Sequence, residues 1–143
     1  MTVNTPSLIG LIVTICLILI FIRSYIKYVD SYNDEMVIKI KNIAEKLTRA
    51  PKGIPVYAGK KSNTDKEEIS LCVKDENGNY YTTNTLIQVL LHEYAHCMIK
   101  ERGHTQKFYE TMNYLREEAI QRGILDPRIP VPCRYCGDDF CRR

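Results

Sequence analysis

Two histidines and a glutamate stand at a spacing that suits metal chemistry. Residues 92–96 read His-Glu-Tyr-Ala-His, so the two histidines are four residues apart. On a helix such residues lie one above the other, and both imidazoles can bind one metal ion. The pattern predicts a Zn²⁺ site with His92 and His96 as ligands. Glu93 would then be the general base, which takes a proton from water and returns it to a leaving amine.

A catalytic zinc site needs a third protein ligand and one open position. The chain has 3 histidines, and the remaining one, His104, directly follows Gly103. A chain turn at this glycine would fold the imidazole back over the metal, so we predict His104 as the third ligand. The alternative ligands are carboxylates of the following segment, namely Glu110, Glu117 and Glu118.

The histidine motif lies in a segment that is too long and too apolar for a strand. Residues 84–102 form a predicted buried helix, with Thr83 or Asn84 as the N-cap and Gly103 after its end. If the histidines only paired with Glu93, an apolar helix would carry three polar groups inward without partners. A metal site is therefore the better interpretation.

The segments around this helix predict a small α+β domain with a short antiparallel sheet. Apolar residues recur at helical spacing from residue 36 until Pro51, and again over 105–122. Alternating residues predict two strands, and an Asn-Gly turn indicates a hairpin with the segment that follows it. These are a strand at 54–58, a polar loop at 59–66, a strand at 69–73 and the hairpin partner at 80–82.

The N-terminal region predicts a membrane anchor. The chain has 20 Lys and Arg and 17 Asp and Glu, but none of them lies in the first 22 residues. As a helix, residues 3–22 reach about 30 Å, which spans a hydrocarbon core. A basic N-terminal region and a small-residue cleavage site are both missing, so we expect an uncleaved anchor rather than a signal peptide. Basic residues only follow the span (Arg23, Lys27, Lys39), which predicts a cytosolic C-terminal part.

These observations divide the chain into a short segment (1–7), an anchor helix (8–28), a folded domain (31–123) and a tail (124–143). The tail contains three prolines close together, which is typical of a semi-rigid linker. Alternatively, the tail could cover the active-site cleft as an inhibitory segment. The net charge of +3 is weak, and the sequence shows no clear basic patch for nucleic acid.

The 6 cysteines do not have the placement of a disulfide framework. Cys72 and Cys97 fall within apolar patterns, which favours reduced, buried thiols in a cytosolic domain. The tail cysteines, Cys133, Cys136 and Cys141, allow three interpretations: a partial zinc knuckle, free or redox-active thiols, or disulfides.

The motif and its downstream segment together resemble a known family. The pattern at 92–96, followed by Gly-His-Thr-Gln-Lys-Phe at 103–108, is similar to the zinc-binding core of SprT-like and WLM-type metallopeptidases. The resemblance covers about residues 34–123. It implies a minimal zincin-like fold and peptide hydrolysis, with His92, His96 and His104 as zinc ligands and Glu93 as base. Phe108 would be a packing residue that fixes the turn before it.

Within the tail, Tyr135-Cys136-Gly137 is similar to features of small WLM-like proteins encoded by large DNA viruses. Better-known members of the family act in the repair of DNA–protein crosslinks. The present chain departs from them because it has a predicted anchor and lacks visible DNA-, SUMO- or ubiquitin-binding additions.

The expected function is that of a single-pass, membrane-anchored zinc metallopeptidase acting on protein substrates. An extended substrate could pair with an edge strand, either 54–57 or 69–73. Candidates for stabilising the oxyanion are Tyr94, Tyr109 and Tyr114. The alternatives are a membrane-tethered, non-catalytic zinc-binding scaffold of the same fold and a metal hydrolase that acts on another carbonyl substrate.

Overall fold

A computed structural model of the chain describes residues 8–139. The chain divides into two compact units, Met1–Ser31 and Tyr32–Arg143. The first unit is built by helix α1 (Leu8–Tyr32), which has no buried residues. By length and composition α1 is apolar enough to cross a membrane. The hydroxyl of Thr14 donates to the carbonyl of Gly10 at 2.9 Å, so this polar group needs no water.

The second unit is α+β, as predicted. In the described part of the chain its elements are α2 (Glu35–Ala44), β1 (Val56–Ala58), β2 (Asn63–Thr64), β3 (Ile69–Leu71), α3 (Thr83–Met98), α4 (Gln106–Gln121), β4 (Arg134–Tyr135) and β5 (Asp138–Asp139). The buried faces of α2, α3 and α4 and the inner side of the sheet share one hydrophobic core.

The main sheet is mixed, so the predicted antiparallel sheet is wrong. Its strand order is β1-β3-β2, with β1 parallel and β2 antiparallel to β3. Strand β3 is therefore central, and residues 69–73 cannot offer the edge that the sequence suggested. Strand β2 lies in the segment predicted as a polar loop. Gly59 directly follows β1. A side chain does not fit at this position, because a Cβ there would overlap the hydroxyl of Ser70.

Helix α2 starts as predicted but ends at Ala44, well before Pro51. The carboxylate of Asp34 caps its first turn by accepting from the amides of Met36 and Val37. Beyond the helix, the amides of Thr48 and Arg49 both donate to the carboxylate of Glu118 at 2.8 Å. These two amides are thus bound by a side chain of α4 instead of by helical carbonyls, and periodicity along α2 could not reveal this.

The predicted hairpin after β3 is reduced to a closed loop. One bridge pairs Lys74 with Tyr80, and the amide of Tyr81 donates to the carbonyl of Val73 at 3.0 Å. Residues 80–82 form no strand, because α3 begins directly after them at Thr83.

Helices α3 and α4 carry the motif and its continuation. Thr82 caps α3 by accepting from the amide of Thr85, and Thr105 caps α4 by accepting from the amide of Phe108. Helix α3 is mostly buried, as expected, but it ends at Met98 rather than at residue 102. The next residue, Ile99, is extended and its side chain is buried.

The interpretation of Cys72 as a reduced thiol is wrong, and for Cys136 the disulfide is the alternative that holds. Cys72 and Cys136 form a disulfide with their Cα atoms 6.3 Å apart. Cys136 is therefore neither a free thiol nor part of a zinc knuckle. Cys133 is also disulfide-bonded, Cys97 is free, and Cys141 lies outside the described residues.

Next to this disulfide, Tyr135 is buried in a closed circuit of hydrogen bonds. Its hydroxyl donates to the carbonyl of Cys72 at 2.6 Å, and the amide of Cys72 donates to Oγ of Ser62 at 2.9 Å. Since the tyrosine proton is already used, Ser62 donates to the tyrosine oxygen at 2.9 Å. The amide of Cys136 donates to the hydroxyl of Tyr81. We call this set, with the disulfide, the tail clasp.

Candidate metal centre

The structure brings the three histidines together. Nε2 of His92 lies 3.2 Å from Nε2 of His96 and 3.1 Å from Nε2 of His104. All three potential ligand atoms lie within 4.8 Å of one another. A tetrahedral zinc ion with Zn–N bonds of 2.0–2.1 Å holds its nitrogens about 3.3 Å apart. The donor type and the separations of His92 from the other two histidines therefore fit zinc.

Two elements position these side chains. His92 and His96 project from successive turns of α3, and His104 belongs to the connection between α3 and α4. Gly103, directly before His104, has φ +84°, a backbone conformation that residues with a side chain rarely adopt. This left-handed turn brings the chain back toward α3, as the position of Gly103 suggested.

Phe108 packs against all three imidazoles from the side of the hydrophobic core. Its ring centroid lies 4.8, 4.4 and 4.7 Å from those of His92, His96 and His104. The phenyl ring is buried in the core at the start of α4. It leaves the imidazoles little room to rotate, which is the packing role that the resemblance implied.

The histidines line an open cleft of about 680 Å³. One wall is β2 with the turn after it, and the other is the connection that carries His104. Of the residues that the structure describes, none from 124–139 lines this cleft, so the idea of an inhibitory tail has no support there. The lining residues are Ser62, Asn63, Thr64, Asp65, Lys66, His92, Glu93, His96, Lys100, Glu101, Arg102, Gly103 and His104.

Glu93 lines the same cleft but is only 6% exposed. Desolvation by burial raises the pKa of its carboxyl from 4.5 to about 7. A carboxyl with a pKa near neutrality can both accept and return a proton. Burial, followed by the charges of His104 and Lys66, lowers the pKa of His96. This favours the neutral imidazole, which is the form that binds metal.

The alternative ligands on α4 are engaged elsewhere. Glu110 accepts from the side chain of Gln106, and Glu117 pairs with Arg49 at 3.7 Å. Glu118 binds Arg122 at 2.8 Å in addition to the two amides beyond α2. Within the described residues, the histidines form the group that can hold a metal ion.

The three candidate tyrosines are separated by the structure. Tyr94 is buried on the other side of α3, beside a pocket lined by α2, and burial raises its pKa to about 12. Tyr114 lies under the guanidinium of Arg49, 4.2 Å from its ring centroid. Only Tyr109, of these three, lies beside the histidines, with its ring centroid 6.3 Å from that of His104.

Sequence reasoning missed β2 and Lys66 as parts of the cleft. Both lie in a polar stretch without periodicity, so no pattern distinguished them from an ordinary loop. Lys66 has φ 82°, which is unusual for a residue with a side chain.

Comparison with known proteins agrees with this geometry. The WLM domain family matches residues 51–126, which include the sheet, both helices and all three histidines. The chain belongs to the WLM family. No solved structure matches it.

Two relatives of this WLM chain are viral proteins. It is 42% identical over 87 residues to uncharacterized protein 136R of Invertebrate iridescent virus 6, covering 58% of this chain and 49% of the relative. It is 42% identical over 74 residues to uncharacterized protein 042R of Invertebrate iridescent virus 3, covering 51% and 46%. The chain thus spans about half the length of these relatives.

Proposed function

We propose that this WLM protein is a zinc-dependent peptidase with a minimal zincin-like domain. The observation that carries the proposal is the placement of three imidazoles, with potential ligand nitrogens within 4.8 Å of one another, in an open cleft that also contains a buried glutamate. His92, His96 and His104 would hold the ion. When bound, zinc supplies Lewis-acid polarisation of water and of the substrate carbonyl.

The protein's own groups supply the proton transfers. Glu93 is next to His92 in sequence and opens onto the same cleft. As general base it would accept the proton of the attacking water and then give it to the leaving nitrogen. Tyr109 is the best placed of the tyrosines to donate a hydrogen bond to the oxyanion, since it lies beside His104.

An extended peptide is the substrate class that suits the cleft. Strand β2 pairs on one side with β3 and lines the cleft with Asn63 and Thr64. Within the described residues its other side pairs with no strand. Backbone hydrogen bonds to this edge would align a peptide bond over the histidines.

The test replaces Glu93 with glutamine and measures cleavage of a library of internally quenched peptides. Glu93→Gln should lower kcat/KM about a hundred- to ten-thousandfold with zinc content unchanged, because the base is lost and the ligands remain. Glu101→Gln is the matched control, since Glu101 also lines the cleft but pairs with Lys107 at 3.8 Å. Absence of cleavage by the zinc-loaded unmodified protein would leave the non-catalytic scaffold as the better account, and equal measurable cleavage by both proteins would exclude Glu93 as the base.

We further propose that α1 anchors the domain to a membrane as a single span, with the peptidase at residues 31–123 and the tail fastened to it. Two signals concern its side. Arg23, Lys27 and Lys39 favour the cytosolic face, whereas the disulfide Cys72–Cys136 is typical of an oxidising compartment. Protease protection of the domain in sealed membrane vesicles distinguishes the two orientations.

A further inference from the structure

Lys66 stands out because its backbone conformation and its side-chain contacts are both unusual. Its φ of 82° lies in the region that favours glycine. Its ammonium donates to the carbonyls of Ile99 at 2.8 Å and Lys100 at 3.1 Å. A lysine held in a costly conformation, with its charge bound to two main-chain groups, indicates a specific task.

The two carbonyls belong to the connection that carries His104. Helix α3 ends at Met98, and its last carbonyls have no helical partners. The ammonium of Lys66 supplies hydrogen bonds just beyond this end, where positive charge is also favourable. Residues 99 and 100 are thereby fixed at the start of the path from His96 to His104.

The backbone of the turn that contains Lys66 is held by hydrogen bonds of its own. Its amide donates to Oγ1 of Thr64 at 2.9 Å, and this hydroxyl donates to the carbonyl of Glu68 at 2.7 Å. Oδ1 of Asp65 accepts from the amides of Glu67 and Glu68. The turn after β2 therefore holds Lys66 in place without help from its side chain.

We propose that Lys66 is a positioning residue that joins the two walls of the cleft and holds His104 in place for zinc. The proposal rests on the proposed zinc site. The two hydrogen bonds of the Lys66 ammonium, which we call the clamp, fix the β2 wall against the start of the connection. Gly103 completes the return of the chain toward α3. Nε2 of His104 is thereby held 3.1 Å from Nε2 of His92. The His104 side chain then loses less conformational freedom when the ion binds.

The experiment measures the affinity of the full chain for Zn²⁺ in detergent, by competition with a chromophoric chelator. Lys66→Met should weaken binding about ten- to a hundredfold, the range typical of groups that orient metal ligands. Lys66→Gly removes the clamp but accepts the left-handed conformation, and it should weaken binding similarly. Lys60→Met, at an exposed lysine before β2, is the matched control and should leave the affinity unchanged.

A double-variant cycle separates positioning from a general effect on folding. In a His104→Ala background Lys66→Met should change zinc affinity less than about twofold, because the ligand that it positions is gone. A full additional loss in that background, or unchanged affinity of both Lys66 variants, would overturn the proposal for Lys66 alone. Absence of zinc binding in the unmodified protein would instead overturn the proposed function.

Discussion

The histidine site and the tail clasp are assembled in opposite ways. The three histidines and Glu93 lie within residues 92–104, on one helix and the turn after it. The clasp joins Cys72 to Cys136, which are 64 positions apart, and connects Tyr135 to Ser62. Local structure therefore places the candidate site residues, whereas the fold around them depends on pairings between distant parts of the chain. We therefore expect clasp variants to change stability and to leave zinc affinity nearly unchanged.

The largest effect on stability should follow loss of the disulfide. In the chain-entropy account, opening a loop closed by residues 64 positions apart costs about 4 kcal/mol in the free energy of unfolding. The variant Cys72→Ala/Cys136→Ala measures this by denaturant unfolding, with Cys97→Ala as the control at a free cysteine. Loss of zinc affinity together with stability would show that the tail clasp and the histidine site form one unit, which would contradict their independence.

A second long-range interaction, between the Glu118 carboxylate and the chain beyond α2, should make the stability depend on pH. Burial raises the pKa of Glu118, but hydrogen bonds from Thr48 and Arg49 and the charge of Arg122 outweigh it and lower the pKa to about 2. Because the folded-state pKa is depressed, the stabilisation is present above pH 4.5 and is lost as pH falls through about 2. Glu118 alone should contribute a decrease of about 3 kcal/mol in the free energy of unfolding over this window.

The matched variant for this titration is Glu118→Gln, which should flatten the pH dependence between about pH 4.5 and 2. Glu110→Gln, at an exposed position of the same helix, should retain the dependence of the unmodified protein. If both variants show the same slope, Glu118 is not the responsible group.

The smallest effect concerns one hydroxyl of the clasp. Tyr135→Phe keeps the ring against Tyr81, with a centroid distance of 4.7 Å, but removes the donor to Cys72. We expect a loss of about 1–2 kcal/mol in the free energy of unfolding, the usual cost of leaving a buried group unpaired. Tyr114→Phe, on an exposed tyrosine, should cost much less. Equal losses of stability in the two variants would show that the hydroxyl of Tyr135 contributes no more than that of an exposed tyrosine.

The contrast between local and distant contacts also explains what the sequence could predict. The spacing of His92, His96 and His104 around a helix and a glycine turn contains nearly all the information needed to bring them together. The buried stripes of α3 and α4 follow from periodicity for the same reason. The end of α2 does not, because Glu118 binds the chain beyond Ala44 from 70 residues away.

The sheet and the cysteines were beyond local patterns as well. Strand β2 has two residues and no apolar alternation, so that only its pairing with β3 identifies it. Cys72 lies in an apolar strand pattern that is equally compatible with a thiol and a disulfide. Its pairing with Cys136 depends on how the tail packs, and no local pattern around Cys72 contains that information.

The zinc content of the purified full chain, measured by elemental analysis, tests the three-histidine site. We predict one zinc per chain in the unmodified protein and in Glu110→Gln, and loss or strong weakening in His104→Ala. Replacing Cys72 and Cys136 with alanine should leave the content at one. A folded protein without zinc, or one that keeps its zinc in His104→Ala, would contradict the three-histidine site.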